Sequence, residues 1–137
     1  MNRTYRFKQV ASVGTSYKVA HLEDGNTVNA GRITRISLIL TSKTGSPTKA
    51  TVVLYGTPAS ASTHGSAPAE TYRKYTLETD VPVTIDATDA TKGVGHLDVS
   101  DDGADWCYLD EYGHMSEMHI KLDAGSADVT AVTTVRA

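Results

Sequence analysis

Five histidines, a single cysteine and a run of aspartates are the residues through which this 137-residue chain could do chemistry. Asp98, Asp101, Asp102 and Asp105 could offer oxygen ligands to calcium. They lack the Asp-x-Asp-x-Asp-Gly order and the distal glutamate of a helix-loop-helix calcium loop, and aspartate is common in solvated turns. Zinc needs three or four ligands converging at about 2 Å, and His96, His114 and His119 are dispersed with no ligand pair at a recognised spacing. His114 and His119 are five residues apart, so one regular strand would put them on opposite faces. Cys107 would need a neighbouring base to act as a nucleophile. Flanked by Trp106 and Tyr108, it reads as a small core residue or a partly covered one. No serine sits in a Gly-x-Ser-x-Gly elbow and no glycine loop suits a phosphate. The expectation is a protein with no catalytic residue, no metal and no cofactor, a hydrolase with an unusual site being the third choice.

The residues that could bind rather than react are aromatic. Trp106, Tyr108 and Tyr112 lie near an acidic, glycine-containing turn, where rings can form a platform for a sugar or a protein surface. The formal charge is -3, the isoelectric point is near 5.9, and the thirteen Lys and Arg are scattered. Nucleic-acid affinity rests on a basic patch, so no nucleic-acid partner is expected. One cysteine cannot close an internal disulfide, so the fold does not depend on an oxidising compartment. The segment Met1 to Phe7 carries charge and alternation where a signal peptide would need an apolar run, and no long apolar stretch follows. Neither export by a standard signal nor membrane insertion is expected.

The elements that would position these residues read as strands. In Arg32 to Thr41, Ile36, Leu38 and Leu40 fall two apart with Arg35, Ser37 and Thr41 between them, the period of a strand with one buried face. A Gly45-Ser46-Pro47 break separates it from the β-branched run Lys49 to Tyr55, and an antiparallel hairpin is the simplest reading. Thr4 to Val10, Tyr17 to Leu22, Thr71 to Leu77, Val81 to Ile85, Val94 to Val99, Met118 to Asp123 and Val129 to Arg136 are further candidates. Asp24-Gly25 marks a turn. Pro82 has no amide hydrogen to donate, which predicts a sheet edge or a bulge.

Gly56 to Glu70 holds almost nothing large enough to bury and reads as a projecting loop or arm. A chain of this length can bury about 68% of its unfolded surface in one core. The expected fold is all-β: one domain over residues 1–137, a two-sheet antiparallel β-sandwich, jelly-roll-like, of about eight strands, with the long small-residue loop at 56–70.

The whole-length β pattern, the small-residue loop, and the ending His119-Ile-Lys-Leu-Asp-Ala-Gly-Ser-Ala-Asp-Val-Thr-Ala-Val-Thr-Thr-Val135 resemble the small structural proteins of tailed bacteriophage particles. That resemblance is one of style and topology, and it carries no family site. It implies a non-enzymatic virion protein made in the host cytoplasm: a capsid decoration or cement protein, or a head-tail structural subunit. The implied partners are further copies of the chain and other virion proteins such as the major capsid protein. Single-stranded RNA phage coat proteins are of similar length, but they end in paired helices and present a basic sheet, which this chain lacks.

Contacts are expected at Asn2, Arg3 and Tyr5 near the N-terminus, at Pro58, His64 and Pro68 in the small-residue loop, and at Trp106, Tyr108 and Tyr112. Ala- and Ser-rich loops lose little side-chain entropy on ordering, which suits a docking arm. The alternative is a carbohydrate- or host-surface-binding β-sandwich module, with an exposed aromatic platform and calcium at Asp98 to Asp105.

Overall fold

The computed structural model describes residues 3–23, 28–29, 33–57, 73–74, 78–98 and 114–136. They form the strands β1 (Arg3–Arg6), β2 (Val10–Val13), β3 (Lys18–His21), β4 (Val28–Asn29), β5 (Ile33–Thr44) and β6 (Lys49–Thr57). These are followed by β7 (Arg73–Lys74), β8 (Thr79–Ile85), β9 (Gly93–Asp98), β10 (His114–Leu122) and β11 (Ser126–Val135). No helix occurs among the described residues. The strands make one antiparallel sheet in the order β1-β11-β5-β9-β8-β6-β10-β3, with β2 against β11, β4 against β10 and β7 against β6.

The sheet curls because one face of every long strand is apolar. Ile36, Leu38 and Leu40 of β5, Ala50, Val52 and Leu54 of β6, Met118, Ile120 and Leu122 of β10, and Val129 and Ala131 of β11 are buried in one core. Each large aliphatic side chain so buried contributes about 1.5–3 kcal/mol, which curling the sheet around its own interior secures. Thr133 of β11 shares this inward face, fully buried, and its hydroxyl has no hydrogen-bond partner among the described residues.

The hairpin expected between β5 and β6 does not form. β5 pairs with β11 and β9, whereas β6 pairs with β8 and β10. The four residues 45–48 contain no two-residue primed turn that would fold one strand back beside the other. Largely exposed, with only Pro47 buried, they carry the chain from one strand to the other without pairing them, and the apolar rows of both strands belong to the same core. This crossing is pinned to the turn after β10. The Asp123 carboxylate accepts from Thr48 N at 2.9 Å, from Lys49 N at 3.3 Å and from Thr48 Oγ1. Those hydrogen bonds, the Thr48 hydroxyl first, hold the Asp123 carboxyl below its usual range.

Two places let the sheet bend. β8 pairs with β6 over Thr79–Pro82 and with β9 over Val83–Ile85. Pro82 therefore sits where an interior strand changes partner, so its missing N–H costs little there. At the other end of the strand order, Phe7 and Leu22 form a bridge between the segment after β1 and the segment after β3. Lys8 N donates to His21 O at 2.7 Å and Glu23 N to Arg6 O at 3.0 Å, so the first and last strands of the order meet.

Register slips at four places among the described residues, the fourth between Thr134 and Val135 of β11, which pair with Arg35 and Ile33 of β5. Ser12 and Ser42 take positive φ (54° and 50°) where β2 slips in register against Ala127 to Val129 of β11 and β5 against Ser126 to Asp128. Past its bulge, β5 turns Lys43 inward, where it is 8% exposed and donates from Nζ to Gly45 O at 2.8 Å. The third bulge lies between Met115 and Glu117 of β10 and lets Met115 and Met118 both face the core. The regular strand that would have separated His114 and His119 onto opposite faces is thus interrupted.

Candidate functional site

The outer surface of β11, β5, β9 and β8 is built from the residues left over by the inward rows. Arg35, Ser37, Ile39 and Thr41 of β5 alternate with the core residues, as do Val94, His96 and Asp98 of β9. Ile39 and Val94 are direct cross-strand partners, and they are 46% and 57% exposed. Thr130 of β11 lies beside Ile39 and Thr84 of β8 beside Val94. The row is β-branched, with two exposed aliphatic side chains at its centre.

One rim of this surface is the loop 86–92, in which the triplet Asp-Ala-Thr occurs twice. Asp86 Oδ1 accepts from Thr88 N and Thr88 Oγ1, both at 2.8 Å, and Asp89 Oδ1 accepts from Thr91 N at 3.0 Å and Thr91 Oγ1 at 2.6 Å. Each aspartate closes a local turn on its own backbone, which lowers its carboxyl pKa. Between this loop and the strands lies an open concavity of about 550 Å³, lined by Ile39, Thr84, Ile85, Ala87, Lys92 and Val94 among others. At the opposite rim Arg35 Nε donates to Asp98 Oδ1 at 2.8 Å across the β5–β9 pair.

A second group lies on the outer side of β3, β10 and β6. The Glu117 carboxylate has His119 Nε2 at 3.1 Å on one oxygen and His21 Nδ1 at 3.9 Å from the other. The Tyr55 ring lies 4.0 Å from that of His119, tilted by 30°. Lys121 Nζ stands 4.7 Å from the Tyr17 ring centre. Burial, and after it the charge of Glu78, pushes the Tyr17 hydroxyl up to about 12. Glu78 acts on it as a charge, since the hydroxyl has no partner in bonding geometry among the described residues. Asp80 is lowered by the Thr51 hydroxyl, at 2.9 Å, and by Lys49. No cluster of three or more metal-ligating side chains occurs among the described residues.

Of the residues singled out in the sequence for contacts, Arg3 and Tyr5 lie on β1, opposite Val135 and Thr133 of β11. Arg3 is exposed, and Tyr5 is half-buried against the core. Asn2, Pro58, His64, Pro68, Trp106, Tyr108 and Tyr112 lie outside the described residues, as do Cys107, Asp101, Asp102, Asp105 and most of the loop 56–70. Asp98 is described, and it pairs with Arg35. His96 is exposed on β9, and His119 is held by Glu117.

The Ile39–Val94 pair was not among the expected contacts. Its signal is nonetheless in the chain, because Ile39 is an aliphatic residue at an outward position of an otherwise polar row. No protein-family model matches the chain, and no curated protein matches it.

Proposed function

We propose that this chain is a non-enzymatic structural subunit of a virus particle, a capsid decoration or head-tail protein that works by joining surfaces. The observation that carries this reading is the Ile39–Val94 pair, two aliphatic side chains kept in water on adjacent strands beside a concavity. Single exposed aliphatic residues are ordinary, whereas adjacent ones on a β-branched face suit burial against another protein. Copies repeated by symmetry would then add many modest contacts.

The finer architecture fits the same reading. The halves β1-β11-β5-β9 and β8-β6-β10-β3 would stack as the two layers of a sandwich, with β8 as a corner strand. That arrangement leaves the outer face of β5 and β9 free for a neighbour. Native mass spectrometry tests the role. The expected result is a discrete multiple of the 14.6 kDa chain mass, and a species that stays at 14.6 kDa across all concentrations contradicts it.

A further inference from the structure

The proposed role leaves open which surface does the joining and what it meets, and the register of β5 and β9 answers both. We propose that this face docks onto the same face of a second copy of the chain, through a two-fold axis lying between β5 and β9 and parallel to them. The inference rests on the structural role proposed above.

The argument is one of self-complementarity. A two-fold axis along the strands keeps each residue at its own height and exchanges the two strands, so β5 of one copy lies over β9 of the other. Residues that are cross-strand partners within one chain then face each other between chains. Ile39 pairs with Val94, and Arg35 with Asp98. In the dimer Ile39 therefore covers Val94 of the second copy, and the Arg35 guanidinium lies over the second copy's Asp98 carboxylate. Ser37 and His96 are partners in the same way, placing a small side chain beneath each imidazole.

A third charge lies at the edge of this contact. Lys92 precedes Gly93, which is level with Leu40, so it reaches the height of Thr41, whose neighbour on β11 is Asp128. Lys92 of one copy thus comes over Thr41 of the other, while within its own chain it pairs with Asp89 at 3.7 Å. The same axis exchanges β8 with β11 and brings Asp86, level with Lys92, toward Asp128 of the second copy, so the complementarity that an isologous interface requires rests on the Arg35–Asp98 contact. Sheets packed face to face lie about 10 Å apart and prefer short, β-branched side chains between them. Thr84, Ile39, Val94 and the half-buried Val132 supply them on this face.

Equilibrium sedimentation of the full chain and four variants tests this. The wild-type chain is expected to form a two-fold dimer or an assembly built from such dimers. Ile39→Asp and Val94→Asp should each raise the dissociation constant of that contact about tenfold or more, the size of a buried anchor residue. Ile39→Thr and Val94→Thr, which keep strand propensity, should weaken it in the same direction and control for misfolding. The charge contact has its own test. Arg35→Glu and Asp98→Arg should each weaken self-association, and an equimolar mixture of the two should associate again, because each mixed contact regains opposite charges. A wild-type assembly whose mass none of these variants changes overturns the placement and leaves the structural role standing. A wild-type chain that remains monomeric overturns both.

Discussion

Replacing Gly125 by alanine is expected to lower the melting temperature by roughly 10 °C, the largest effect of any single methyl group added to the described residues. Gly125 has φ +68°, and a Cβ built there would lie 2.1 Å from Thr44 O, 3.0 Å from Thr44 C and 3.1 Å from the Gly45 Cα. All three are backbone atoms, so no side-chain rotation relieves the contact. The left-handed φ and the overpacking together cost about 3 kcal/mol or more. At this chain length each kcal/mol is about 3–4 °C.

The consequence reaches beyond one turn, because the same contact positions the crossing from β5 to β6 against Asp123. Gly14→Ala is the matched control. A Cβ there meets only Gly125 O at 3.7 Å, so its melting temperature should stay within a few degrees of wild type. Equal effects of the two substitutions, read by thermal denaturation, would remove the turn-to-turn contact from the account.

Phe7→Ala is expected to cost about 3–5 kcal/mol, the usual range for emptying a fully buried aromatic site. Phe7 is the chain's single phenylalanine, and it stands where the ends of the strand order meet. Its amide donates to Ala131 O at 2.9 Å while its ring enters the core. Losing the ring should therefore loosen the meeting of the edge strands before the rest. Hydrogen exchange at the amides of Lys8 and Glu23, which bond across that junction, should accelerate more than exchange in β5 and β9. Uniform acceleration would mean that Phe7 supports the whole core evenly and that the junction is no weak point.

Much of the strand content was legible because alternation is a local signal. Ile36, Leu38 and Leu40 announce the inner row of β5, and Met118, Ile120 and Leu122 that of β10. Partner choice is not local. β5 and β6 are neighbours in the chain and look like a hairpin, yet each completes its hydrogen bonds with strands remote in sequence. The bulges were hidden for another reason: a serine at positive φ, as at Ser12 and Ser42, has no compositional mark. Lys43 shows the effect, since only the bulge before it turns a lysine inward. The candidate surface was half legible. Ile39 breaks a polar row visibly, but its importance depends on Val94 lying beside it, and that follows from a pairing the sequence does not display.

Side-chain oxidation by hydroxyl radicals, compared between dilute and assembled protein, asks most directly whether this surface is covered when the protein is at work. Ile39 and Val94 are predicted to lose reactivity on assembly, while Val19, 38% exposed and paired with His119 of β10, keeps its own. Unchanged oxidation of Ile39 and Val94 in an assembled sample would contradict the claim that the protein acts through this face.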